Sequence, residues 1–193
     1  MLIVWSLHNS YCLLSIIIMD HNDCDHAQCT TQNANLSVCQ TVSEMDWERG
    51  LWHAAYYGDK ERVKYLIEKS RDPKEAVNAA DNAGYTPLHY AARKGHVDIC
   101  RILLSNGAVI DAQTKSGNAT ALHKASASGK LDVVKFLIQA GACVNIQDID
   151  GQTILHKAMA NNNRELANFL LTTYPNLRAM KDKKGKCASG LYV

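Results

Sequence analysis

Basic residues are absent from the first 48 positions of this 193-residue chain, because the first lysine or arginine is Arg49. A secretory signal peptide begins with positive charge, so the apolar run over residues 2–19 lacks one of its defining features. As a membrane span the run is marginal in length, and polar residues 8–10 interrupt it. We therefore expect residues 1–42 to be a disordered extension, apolar and then polar, and we do not expect membrane association. A tether through residues 2–19 is the alternative.

Strong charge of one sign is also missing. The formal net charge is +2, which is too small to favour a nucleic-acid polymer as a partner. The seven cysteines are odd in number and do not follow the even, close spacing of a disulfide framework. Cys100 and Cys143 occupy positions where small apolar residues are expected, which fits free thiols in a reducing compartment. We expect a cytoplasmic location, a nuclear one, or both.

Sequence signatures of catalysis are absent as well. The chain has no nucleophile elbow, no phosphate-binding loop and no paired catalytic carboxylates. Single glycines such as Gly84 and Gly117 suit turns and do not form a phosphate cradle. The sequence therefore predicts a protein that is not an enzyme and needs no cofactor.

One short cluster has the residue types of a zinc site. Its members are His21, Cys24, His26 and Cys29. Histidine and cysteine are the preferred zinc ligands, and this spacing suits a loop. However, the cluster has no second half, no glycine turn and no aromatic core around it. Chance enrichment in a flexible segment explains it better, so we expect no metal site.

A heptad that occurs three times organises the rest of the chain. Thr86 begins Thr-Pro-Leu-His-Tyr-Ala-Ala, and related heptads begin at Thr120 and Thr153. The copies are 34 and 33 residues apart. Self-similarity at a fixed period of this size predicts stacked structural repeats.

Each copy follows one plan. A turn ending in glycine precedes a threonine that caps a short helix, and Pro87 takes a first helical position where no N–H is required. Glycine or Asn162 ends that helix, and a second helix with an apolar stripe follows. The structural positions of the plan are Thr86, His89, Gly95, Thr120, His123, Gly129, Thr153 and His156.

The ends of the repeat region are less regular. A capping-box pattern at Ser43–Asp46 starts a degenerate first unit, whose helices end at Gly58 and near Lys69. Residues 70–80 then form a long connector that contains Pro73. We predict a repeat domain over 43–181, and after it a fifth-repeat remnant that leaves the fourth unit incompletely capped. The predicted units are about 43–80, 81–114, 115–147 and 148–181, and the remnant is 182–193.

The Thr-x-Leu-His core and the Gly-Ala ending of the second helices make these units resemble ankyrin repeats. The resemblance implies an all-α solenoid of about four repeats, each a β-turn with two antiparallel helices. It also implies a structural role for His89, His123 and His156, which would hydrogen-bond the turn to the helix. Recurring once per unit, these histidines would lie in a ladder and not around one metal ion.

The resemblance further implies that the exposed sides of the first helices form a concave groove that binds another protein. Mapping the repeat onto itself places four cations and no acid there. Tyrosine and arginine are frequent binding anchors. We therefore predict a monomeric adaptor or scaffold whose groove binds an acidic or phosphorylated protein segment. The predicted contact residues are His53, Tyr56, Tyr57, Tyr90, Arg93, Lys94, Lys124 and Lys157.

Overall fold

The computed structural model describes residues 50–188, which are helical and contain no strand. Short first helices alternate with longer second helices, as the repeat plan predicts. The predicted all-α repeat fold is thereby confirmed. The helices are α1 Leu51–Tyr57, α2 Lys60–Lys69, α3 Pro73–Asn78, α4 Pro87–Lys94, α5 Val97–Ser105, α6 Ala121–Ala127, α7 Leu131–Gln139, α8 Ile154–Ala160 and α9 Arg164–Thr173, and a 3-10 helix follows at Pro175–Ala179.

The first helices pack on one another in a row, from α1 to α4, α6 and α8. On these helices Leu88, Leu122 and Leu155 are at most 1% exposed, and Leu103 and Leu137 of the second helices are fully buried. Burying a leucine side chain contributes about 1.5–3 kcal/mol. The leucines at the repeat period therefore build one continuous core between neighbouring units.

The connector after α2 differs from the sequence prediction, because it contains the helix α3. The Asp72 carboxylate accepts hydrogen bonds from the backbone N–H groups of Lys74 and Glu75, at 2.8 and 3.2 Å. Pro73 takes the first helical position, where its fixed φ suits the helix. Val77 is fully buried, so this short helix is attached to the core.

Successive turns are joined by backbone hydrogen bonds. The N–H of Lys115 donates to the carbonyl of Ala83 at 3.1 Å, and the N–H of Ile149 donates to that of Gly117 at 2.9 Å. The N–H of Lys183 donates in the same way to Asp150 at 3.0 Å. The turn at residues 182–185 thus continues the ladder onto the fourth unit, which the sequence prediction had left incompletely capped.

Several predictions concern residues outside the described part of the chain. They are the disordered extension over 1–42, the tether over 2–19, the zinc-type cluster at 21–29 and the capping box at 43–46. Within residues 50–188, no helix is long and apolar enough to cross a membrane. The same residues contain no group of three His, Cys, Asp or Glu side chains placed to hold a metal ion.

Candidate protein-binding surface

The predicted contact residues all lie on the first helices of the units. His53, Tyr56 and Tyr57 come from α1, the next three from α4, Lys124 from α6 and Lys157 from α8. We call the exposed sides of these four helices, with the turns before them, the inner-helix surface. Its side chains form two different arrangements. One is a row of tyrosines with a lysine at each end, and the other is an ion pair in the fourth unit.

Three tyrosines form a row across the first and second units. The ring centroids of Tyr56 and Tyr90 are 6.2 Å apart, and those of Tyr90 and Tyr85 are 5.5 Å apart. Tyr57 meets the edge of the Tyr56 ring at 4.9 Å and is 65% exposed. Large, rigid aromatic rings supply contact area at low conformational cost. This tyrosine row is therefore the main apolar feature of the inner-helix surface.

A lysine lies at each end of the tyrosine row. The Lys94 ammonium is 4.1 Å from the centroid of the Tyr56 ring, and it lowers the pKa of the Tyr56 hydroxyl through a hydrogen bond and its charge. The Lys124 ammonium lies 4.6 Å from the centroid of Tyr85 and donates to its hydroxyl at 2.7 Å. Among residues 50–188, no carboxylate lies within ion-pair distance of either lysine. Both cations thus retain charge for an outside acid.

In the fourth unit, a carboxylate neutralises the charge of Lys157. Lys157 forms an ion pair with Asp148 at 2.6 Å, and the Asp148 side chain is only 4% exposed. Burial raises the pKa of Asp148, but the bond from Lys157 and backbone N–H donors outweigh it and hold that pKa below 3.8. Lys157 therefore differs from the sequence prediction, which had it free to pair with a partner's carboxylate. The error arose because Asp148 lies in the turn, outside the helix positions that were compared.

The equivalent turn acid of the second unit has another role. Asp81 accepts backbone N–H bonds from Ala83 and Tyr85, and its second oxygen accepts the hydroxyl of Tyr90 at 2.6 Å. Burial first and this bond second raise the pKa of Tyr90. Asp81 thereby fixes the central ring of the tyrosine row.

The third unit has no such acid, which explains the position of Lys124. Thr114 stands where the other turns have Asp81 and Asp148, and its hydroxyl accepts from the N–H of Ala119 at 3.1 Å. Asn118, the extra residue of this turn, adopts a positive φ of 49°. Without a carboxylate in its own turn, Lys124 reaches back to the ring of the preceding unit.

The three repeated histidines are buried and structural. The backbone N–H of Thr86 donates to Nδ1 of His89 at 3.1 Å, and Nε2 of His89 meets the carbonyl of Ala119 in the next unit at 3.1 Å. Because Nδ1 accepts, the proton of the neutral ring is on Nε2 and points to that carbonyl. His123 and His156 repeat the arrangement. Each histidine therefore joins two units, beyond the bond within one unit that the sequence suggested.

The comparison with protein families identifies this architecture. A family model described as Ankyrin repeats (3 copies) matches residues 6–114 and 110–181, which is most of the chain. The chain belongs to the ankyrin repeat family. Ankyrin repeat proteins generally mediate protein–protein interaction and are generally non-enzymatic.

Curated relatives agree with this assignment. The chain is 54% identical over 86 residues to ankyrin repeat domain-containing protein 39 from Homo sapiens, and 54% identical over 68 residues to the protein of that name from Bos taurus. It is 36% identical over 88 residues to 2-5A-dependent ribonuclease from Mus musculus. These matches cover 45%, 35% and 46% of this chain. The likeness to ankyrin repeat domain-containing protein 39 also follows from the sequence of residues 44–52 and 111–114.

The chain spans less than half the length of these relatives. The matched segment is 45% of the human protein, 35% of the bovine one and 12% of the ribonuclease. The ribonuclease is an enzyme that has other domains as well. The likeness to it therefore concerns the ankyrin repeats and does not transfer catalysis.

One residue of the ankyrin surface was missed by sequence reasoning. Tyr85 completes the tyrosine row and holds Lys124, but it precedes the helix and was not compared. Its counterparts in the next two repeats are Ala119 and Gln152. A large aromatic residue at a position that is otherwise small or polar is the signal that could have found it.

Proposed function

We propose that this ankyrin repeat protein is a non-enzymatic adaptor or scaffold that binds an acidic protein segment on the inner-helix surface. The observation that carries the proposal is the tyrosine row with a lysine at each end that no carboxylate of residues 50–188 pairs with. Aromatic rings supply the contact area, and the lysines select for negative charge. Cytoplasm or nucleus is the proposed location, and the protein acts as a monomer.

The distribution of charge supports an acidic partner. Arg93 is exposed beside Lys94 at the end of α4, so two cations adjoin there. Exposed cations attract acidic partners and raise association rates, and this effect weakens with salt. The acids that lie nearest, Asp81 and Asp148, are engaged by Tyr90 and Lys157. The Asp148 charge is thus balanced by Lys157, and Asp81 keeps its charge but forms no ion pair with Arg93, Lys94 or Lys124.

Reversing the charge of Arg93, Lys94 and Lys124 together should strongly weaken partner binding. We expect the full-length variant R93E/K94E/K124E to lose the acidic proteins that the wild type retains, with affinity lowered at least about tenfold, or about 1.4 kcal/mol. Repulsion adds to the lost attraction, which makes the effect larger than removal of three rim contacts. Affinity purification with mass spectrometry, followed by titration of a recovered partner, measures this loss.

The matched control variant reverses the charge of one arginine and two lysines that lie outside the inner-helix surface. They are Arg71, Lys74 and Lys135. All three are exposed, and Lys135 is on the second helix α7. This control changes the net charge equally and should keep the partners. A folded R93E/K94E/K124E variant with the partner list of the wild type would contradict the proposed function. Circular dichroism establishes folding in each case.

A further inference from the structure

We propose that the partner segment binds in an extended conformation with two acidic side chains no more than about six residues apart, one on Lys94 and the other on Lys124. This inference rests on the proposed function and specifies its partner. It follows from the two cations being held at opposite ends of one row of rings.

The rings set an upper limit to the separation of the two charges. Lys94 lies on Tyr56, Tyr56 meets Tyr90, Tyr90 meets Tyr85, and Lys124 lies on Tyr85. This path limits the distance between the two ammonium nitrogens to about 20 Å, or about six residues of extended chain at roughly 3.3 Å each. The direct distance is shorter than the path. Acidic residues much further apart than this in an extended segment would therefore not reach both lysines at once.

Both lysines are also held in place more firmly than a free surface lysine. The cation–π contacts at 4.1 and 4.6 Å restrict each ammonium group, and Lys124 adds its bond to the Tyr85 hydroxyl. Restricting the side chains before binding lowers the entropy lost on binding. A fixed pair of cations can thus discriminate between spacings of the partner's acids. Lys157, which Asp148 neutralises, takes no part in this selection.

A displayed library of random linear peptides tests the spacing. The full-length wild-type chain is the bait, and the library is first depleted on R93E/K94E/K124E. We expect the retained peptides to carry two acidic residues within about six positions of each other. The best peptide is then synthesised with each acid changed to its amide, and its affinity for wild type, K94A and K124A is measured by fluorescence anisotropy.

The resulting double-mutant cycles assign each acid to one lysine. We expect K94A to remove the effect of amidating one acid and K124A to remove the effect of amidating the other, each effect being about three- to tenfold. Retained peptides with a single acid, peptides whose acids lie much further apart than six positions, or equal coupling of both lysines to both acids would overturn this inference and leave the proposed function standing. Retention of peptides without acidic residues, or no retention at all, would overturn both.

Discussion

Replacing Gly84 with alanine should destabilise the protein by about 3 kcal/mol or more. Gly84 is buried at the end of the second unit's turn and has a φ of +85°. An added Cβ would lie 2.4 Å from the backbone nitrogen of Lys115. That nitrogen donates the hydrogen bond to Ala83 which joins the second and third units. The methyl group would therefore strain the turn and break a contact between repeats.

Gly141 provides the matched control, because it has a similar φ of +98° but nothing within 4 Å of an added Cβ. G141A should lower the free energy of unfolding only by the conformational strain of a positive φ, about 1–2 kcal/mol. Urea denaturation of both variants, with equal m-values, measures the difference. Equal midpoints for G84A and G141A would show that the close approach to Lys115 does not matter and would contradict the account of the turn ladder.

Acidification from pH 7 to pH 5 should also weaken the fold. Burial is the largest cause of the lowered pKa of His89, which is about 4 against an ordinary value of 6.5. The unfolded chain therefore binds a proton between pH 6.5 and 4 that the folded state does not. The contribution of His89 to the free energy of unfolding is fully present above pH 6.5 and decreases as the pH drops towards 4. At pH 5 the loss from His89 alone is about 2 kcal/mol.

Burial lowers the pKa of His123 as well, so this second buried histidine adds to the decline. The lowered carboxylate pKa values of Asp98 and Asp148 lie below 3.8. Those two acids therefore do not contribute to the decline between pH 7 and pH 5.

The variant H89Q separates this effect from general acid sensitivity. A glutamine amide can accept from Thr86 and donate to Ala119, but it does not titrate. We expect H89Q to be less stable than the wild type at pH 7, because the glutamine side chain fits the two hydrogen bonds less well than the imidazole ring. It should also lose less stability between pH 7 and pH 5. Urea midpoints across this range provide the measurement. An unchanged pH dependence in H89Q would show that His89 does not cause the decline.

The scaffold of this protein could be read from its sequence because its signals are local and repeated. Thr86, Thr120 and Thr153 mark the helix starts, and Gly95 and Asn162 mark ends with positive φ, at 97° and 57°. Each signal depends on backbone geometry within a few residues. The helix α3 was missed although Asp72 and Pro73 carry the same kind of start signal. Its six residues are too few for an apolar period to appear.

The binding surface could be predicted only in part, because its charge depends on contacts between turn and helix. Lys94, Lys124 and Lys157 look alike in the sequence. Their surroundings differ because Asp148 reaches Lys157, whereas Thr114 leaves Lys124 without an acid in its own unit. A comparison restricted to helix positions does not contain this information. The turn residue nine or ten positions before Lys124 and Lys157 decides whether the charge of each lysine is available.

Photo-crosslinking from two exposed tyrosines tests the central claim most directly. Tyr57 is 65% exposed on the inner-helix surface, and Tyr65 is 58% exposed on the second helix α2 of the same unit. Each is replaced in turn by a benzophenone amino acid in the full-length protein, which is then irradiated with a co-purified partner. We predict crosslinks from position 57 and not from position 65. Crosslinks from position 65 alone, or equally from both, would contradict binding through the inner-helix surface.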